Sequence, residues 1–256
     1  MQPTTTTERI DAHWSQFLGV PPSALRDAGV RVTAHERLGD YRGVWFFVRG
    51  RSAVVSAPAG WVARLSRHCA SAAAEELLSR SYVTRALEPS AGTIVGPSFQ
   101  GWLPHDRFQP LSADDVRPLS DSGADSIRAV QSSCSQEEWE HGGIESAGAE
   151  IWAAFEGARV VALGQLRVHF DGAVDPCVIT HPQHRGRGHA SRVVSALAKQ
   201  ALSARQLVLY QTLLSNAPAI AIALRLGFEP YATLLAVRLA PDSDEPPPPS
   251  TFRRSE

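Results

Sequence analysis

Lysine is almost missing from this chain. Lys199 stands alone, and the other basic residues are arginine. The 25 basic and 26 acidic residues leave a formal net charge of −1, so the basic face that binds nucleic acid is not expected. Cysteine is also scarce. Cys69, Cys134 and Cys177 are odd in number and far apart, which excludes a disulfide framework and a cysteine zinc site. No apolar run approaches the ~20 residues that span a bilayer. The first residues lack a basic start followed by an apolar stretch, so no signal peptide and no membrane partner are expected. A soluble cytoplasmic protein is the expectation, with 43% hydrophobic and 20% charged residues to build it.

What is present is a run of alternating helical and strand patterns. Ile10, Trp14, Phe17 and Leu18 recur at helical spacing. Strands are expected at 30–35, 43–48 and 52–57, with a turn at Arg49-Gly50-Arg51. Helices follow at 61–69 and 72–87, and Pro89 ends the second. A domain boundary is placed near residue 100, so that 1–100 form an N-terminal α/β domain and 101–240 a second one. The second half reads as a strand at 116–119, a helix at 125–134 and a short helix opened by Ser135. Ser135 and Glu138 have capping-box spacing. Strands at 151–155, 159–170 and 174–180 follow, and Pro176 marks the last as an edge or a break in pairing. A helix at 189–202, a strand at 207–210, a helix at 217–226 and a strand at 231–239 complete the pattern. The four consecutive prolines and the acidic residues of 241–256 read as a disordered tail.

The chemistry concentrates in His181-Pro182-Gln183-His184-Arg185-Gly186-Arg187-Gly188-His189-Ala190, between a strand and a helix. The first N–H groups of a helix lack internal partners, and the helix dipole adds positive charge there, so this end is an anion site. Gly186 and Gly188 admit a phosphate close to the backbone, and Arg185 and Arg187 add charge. Gln183, Gly186 and Gly188 form a Gln-x-x-Gly-x-Gly pattern. Asn216-Ala217-Pro218-Ala219 opens a helix that ends in Leu226-Gly227-Phe228. On these two motifs the chain resembles the GNAT superfamily of N-acetyltransferases over about residues 110–240. The resemblance implies a mixed, mostly antiparallel sheet flanked by helices, with acetyl-CoA as co-substrate. It implies that Val178, Ile179 and Thr180 offer backbone groups to the pantetheine arm. Gln183, His184, Arg185, Gly186, Arg187, Gly188, His189 and Ala190 would hold the pyrophosphate, with Asn216 beside the arm. The expected reaction is direct attack of an amine, on a small molecule or a peptide, on the thioester. A non-catalytic acyl-CoA sensor is the alternative. The N-terminal domain would cover the acceptor side or form a homodimer interface.

Two usual catalytic groups of that family are displaced. Ala223 stands where many members carry a tyrosine, and the segment before the loop offers Asp175 rather than a glutamate. Glu140 is the first candidate base, with His141 and Asp175 beside it, and Tyr210 and Tyr231 are candidate acids. His181, His184 and His189 fit no common zinc spacing, so no metal is expected. Cys177 reads as a small core residue.

Overall fold

The computed structural model describes residues 6–35, 42–119, 123–145 and 150–240. The tail expected at 241–256 lies outside them. In chain order the elements are α1 (Thr6–Leu18), β1 (Gly29–Ala34), β2 (Gly43–Arg49), β3 (Ser52–Ala57), α2 (Ala59–Cys69), α3 (Arg80–Leu87) and β4 (Ala91–Trp102). Then come β5 (Val116–Pro118), α4 (Ala124–Ser133), α5 (Gln136–Gly142), β6 (Trp152–Glu156), β7 (Arg159–Val168) and β8 (Val174–Thr180). The chain closes with α6 (His189–Ser203), β9 (Leu209–Leu213), α7 (Ala217–Arg225) and β10 (Glu229–Leu239). This is a mixed α/β fold with mostly antiparallel sheets. Among the described residues no helix is long and apolar enough to cross a membrane.

The described residues divide into two compact units that are discontinuous in sequence: those of 14–98 with 232–240, and those of 6–13 with 99–231. In the former, β2 and β3 form a hairpin closed by Gly50-Arg51, with Arg49 opposite Ser52. β3 pairs with β1 in parallel, and β2 pairs with β10 antiparallel. Phe46, Val55, Leu65, Leu77, Leu87 and Leu235 are among the fully buried side chains of its core. One sequence expectation fails here. The helix read over 72–87 is two pieces, a 3-10 turn at Ala74–Leu78 and then α3. Ser79 between them is extended (φ −81°, ψ 124°) and its hydroxyl pairs with that of Ser81. Serine competes for local hydrogen bonds and favours helix starts over helix interiors, so the apolar period continues while the backbone breaks.

In the other unit, β5, β6, β7 and β8 form an antiparallel sheet in that order. Pro176 lies on β8, whose only ladder is with β7 in this sheet; it faces Leu166 there without breaking the pairing. A strand with one free edge tolerates a residue that has no N–H to donate. α6 buries Val193, Val194, Leu197, Ala198 and Ala201, each at most 1% exposed. Its apolar stripe at three- and four-residue spacing is what fixes it on the sheet, each large side chain contributing about 1.5–3 kcal/mol.

Gly227, in the Leu-Gly-Phe ending, sets a limit of its own. Its φ is +94°, and a Cβ there would lie 1.9 Å from the carbonyl oxygen of Arg107. Gln109 N–H donates to Leu226 O at 3.0 Å beside it. Gly227→Ala should therefore cost about 2–4 kcal/mol of unfolding free energy. Urea titration reads this directly, and a cost below about 1 kcal/mol would show that the 107–109 segment gives way freely.

Candidate active site

β8 and β9 start side by side and then part. A single parallel bridge joins Val174 to Val208, with Val174 N–H donating to Leu207 O at 2.8 Å. One residue on, the joining group is a side chain: Asp175 Oδ1 accepts from the Gln211 N–H at 3.3 Å. β8 then continues with β7, and β9 continues beside the end of β4. The result is a slot between the two strands, with Asp175 at its narrow end.

Asp175 is 1% exposed. Its Oδ2 lies 3.2 Å from Nη2 of Arg167 on β7. Burial pushes its carboxyl up to about 6, against the pull of the Arg167 charge and the Gln211 hydrogen bond. The same carboxylate raises Arg167 further above its already high value. Arg167 Nη2 also lies 3.0 Å from Cys177 Sγ. Tyr210, on β9, is 3% exposed and packs edge-on to Phe228 at 5.0 Å. Burial first, then the Asp175 and Cys177 charges, raise its hydroxyl well above the usual phenol range.

The elevated Asp175 carboxyl has a consequence for stability. A folded-state value above the unfolded one favours the protonated form in the native state. That stabilisation is complete below the unfolded value of 3.8 and is lost as pH rises through about 6. Asp175→Asn keeps the shape and cannot ionise. The stability of this variant relative to wild type should therefore improve by about 2–3 kcal/mol from pH 4 to pH 7. Denaturant titrations of both proteins across that range test it; parallel profiles would mean that Asp175 ionises as freely folded as unfolded.

At the far end of β8 the glycine-rich segment bends into α6. His181 caps a 3-10 turn at Pro182–His184 through Nδ1, which accepts the Gln183 N–H. Gly186 (φ +76°) and Gly188 (φ +82°) take left-handed backbone, and Gly188 is the N-cap of α6. Gln183, Arg185, Gly186 and Arg187 are exposed, Gly188 and Ala190 half-buried. The N–H groups of the first turn of α6 have no partner within the helix. Arg185 donates to Glu138 at 2.7 Å and, through Nε, to Thr180 O at 3.2 Å. That pair holds the Glu138 carboxyl down at about 2, through the Arg185 hydrogen bond and then the Ser135 N–H. Arg187 lies 3.3 Å from Glu156.

His184 and His189 point inward instead. They are 9% and 4% exposed, and both meet Glu156, His184 Nδ1 at 3.0 Å and His189 Nε2 at 2.7 Å. Their ligand atoms lie within 4.8 Å of one another, a distance a metal ion could bridge. The hydrogen bonds argue for another role. Arg192 Nη2 lies 2.8 Å from His189 Nδ1 and has only protons to offer. The ring proton is thus on Nε2, facing Glu156, where a ligand atom would need to be bare. Arg192 donates to Asp115 as a fork, Nε to Oδ1 and Nη2 to Oδ2, both at 2.9 Å. The chain Asp115–Arg192–His189–Glu156 fastens the start of α6 to the β6–β7 hairpin.

The remaining expected residues are placed as follows. Val178 and Thr180 are half-buried on β8, and Ile179 is buried against Gly142 at the end of α5. Asn216 is the N-cap of α7, its Oδ1 accepting the Ala219 N–H at 3.2 Å. Glu140 and His141 are exposed on α5, and Glu140 accepts from Gln136 at 2.8 Å. The capping box at Ser135 is present in full. Tyr231 is buried with its hydroxyl on Asp11. Ala223 is fully buried in the cluster that holds Tyr210 and Phe228. No sequence pattern marked Arg167, Glu156 or Asp115 as part of the site, and Glu138 was legible only as a capping residue; all four reach the site from other elements. Nor did any pattern mark Gln165, which accepts the Glu145 N–H at 3.0 Å and ties the segment after α5 to β7.

Residues 118–228 match the family described as Acetyltransferase (GNAT) family. Among solved structures, the chain is similar to a GNAT-family acetyltransferase from Novosphingobium aromaticivorans at 17% identity and TM-score 0.48. That match covers 60% of this chain and 69% of the other. A GNAT-family acetyltransferase from Colwellia psychrerythraea is similar at 16% identity and TM-score 0.48, with 62% of each chain covered. The chain thus spans less than two thirds of that second relative. No curated protein matches it. Residues 118–228 of this chain are a domain of the GNAT acetyltransferase family.

Proposed function

We propose that residues 101–240 transfer an acetyl group from acetyl-CoA to an amine by direct attack, and that the N-terminal hundred residues serve a separate role. The observation that carries this reading is the parting of β8 and β9 beyond one bridge, with a buried carboxyl at the closed end and a glycine-rich helix start at the open end. The pantetheine arm would lie in the slot against Val178, Ile179 and Thr180. The pyrophosphate would take the N–H groups from Gly186 to Ala190, with Gln183 beside them. Arg185 and Arg187 would exchange Glu138 and Glu156 for phosphate oxygens. Asn216 sits at the mouth of the neighbouring helix.

An amine acceptor reaches neutral solution mostly as ammonium. Asp175, titrating near 6, is matched to take one proton from it, directly or through one water. The neutral nitrogen then forms a bond to the thioester carbon, the carbon–sulfur bond breaks, and the departing thiolate takes the second nitrogen proton. Tyr210 stays protonated throughout and serves as a hydrogen-bond donor. Glu140 and His141, both exposed on α5, would meet the acceptor. Acceptors are small-molecule or peptide amines, and the reaction belongs in the cytoplasm with its acetyl-CoA.

Ala223 favours a second reading, a domain that binds acyl-CoA and senses it. A buried alanine fills the place from which the family's tyrosine acts, packed in the cluster of Tyr210, Leu226 and Phe228. Calorimetric titration with acetyl-CoA followed by thiol-release assays on an amine panel separates the two. Binding with turnover supports transfer, binding without turnover on any amine supports the sensor, and no binding to folded protein sinks both.

A further inference from the structure

A cavity of about 380 Å³ opens at the other end of α6, lined by Arg9, Leu103, His105, Leu202, Arg205 and Leu207 among others. α6 has 15 residues, so this cavity is about 22 Å from the glycine-rich segment.

Three features of the cavity agree. First, its guanidinium groups lack acidic partners. Arg185, Arg187 and Arg192 each face a carboxylate, whereas among the described residues none pairs with Arg9 or Arg205. The contact between these two is Arg9 Nη2 donating to the Arg205 carbonyl oxygen at 3.0 Å, which leaves the rest of the Arg9 fork open. Second, Arg205 is the one non-glycine residue with positive φ among the described residues, at +58°. It follows the end of α6, where Arg205 N–H donates to Leu202 O and Gln206 N–H to Ala201 O. Helices that close this way carry glycine at that position, because a Cβ is strained there. At Arg205 that position lines the cavity and brings a guanidinium to it. Third, Leu103, Leu202 and Leu207 are buried and give the cavity an apolar wall.

We infer that this cavity binds a small anion with a short hydrocarbon chain, its carboxylate held by Arg9 and Arg205 and its chain on the three leucines. Planar guanidinium forks suit a carboxylate, and the volume suits a small molecule. None of the residues proposed to touch acetyl-CoA lines this cavity, so either assignment can fail alone.

Hexanoate is the probe, titrated into the full chain by calorimetry beside hexan-1-ol, hexylammonium and inorganic phosphate. Hexanoate should bind with a Kd on the order of 1 mM, and the alcohol and the ammonium at least about tenfold more weakly. Arg205→Gly is the informative variant. It suits the left-handed backbone, so the thermal midpoint should hold or rise while hexanoate affinity falls at least about tenfold. Arg9→Gln should weaken hexanoate likewise, and Arg225→Ala, exposed on α7, should change nothing. Hexanoate no tighter than hexanol, or indifferent to Arg205→Gly, would overturn the site. Phosphate binding as tightly as hexanoate would overturn the role of the leucines and with it the ligand class.

Discussion

Acetyl-CoA should fail to bind a Gly188→Glu variant. Gly188 caps α6 with φ +82°, and a Cβ there would lie 3.3 Å from Arg192 Nη1. A glutamate would strain the cap and bring its own carboxylate to the helix start, where it would occupy the donors a pyrophosphate needs. Strain and charge together should weaken binding by about 3 kcal/mol or more, roughly a hundredfold or greater. Gly188→Ala separates the two contributions, since it carries the strain without the charge and should lose about tenfold. Calorimetry on both variants, with thermal melts to confirm folding, makes the measurement. Wild-type affinity in Gly188→Glu would move the pyrophosphate away from α6 altogether.

Asp175→Asn should lower kcat/KM for the amine by about a hundred- to a thousandfold, the range of a lost general base. KM for acetyl-CoA should change by less than about threefold, because the asparagine keeps its oxygen on the Gln211 N–H. Wild-type kcat/KM should rise with pH through about 6, the value burial gives this carboxyl, and that limb should vanish in the variant. Glu140→Gln should leave the limb in place, since Glu140 is exposed on α5 and bonded to Gln136. If Glu140→Gln erases the limb and Asp175→Asn does not, the base is on α5 and Asp175 only joins strands.

The contrast between these two residues shows what the sequence could and could not convey. The strand–loop–helix pattern and the two glycines at Gly186 and Gly188 are local, so spacing alone placed them, and β8 spans the residues expected for it. The capping box at Ser135 was legible for the same reason. Burial is not local. Asp175 and Glu140 looked alike as acidic residues near elements, and only the packing of β7, β8 and β9 makes one buried and leaves the other in solvent. The partners of the loop were invisible for a related reason: Glu138, Glu156 and Asp115 are between 28 and 77 residues from the side chains they hold. His184 and His189 fall within the phosphate pattern, yet alternation around the turn sends them under the loop to Glu156. The break at Ser79 escaped because hydrophobic period runs on across a kink that depends on one residue's dihedral angles.

The single bridge between Val174 and Val208 leaves two strands with facing edges and few hydrogen bonds between them. An unsatisfied strand edge is a template for any extended chain that brings amides to it. What fits such a gap is narrow, linear and rich in amide groups, and a flat ring system would leave the backbone donors unmet. The gap is therefore a built-in adhesive seam, and an occupant should act on it as an added strand would. Adding the right cofactor arm should slow amide exchange along β8 and β9 and suppress self-association on warming, before any acetyl group has moved.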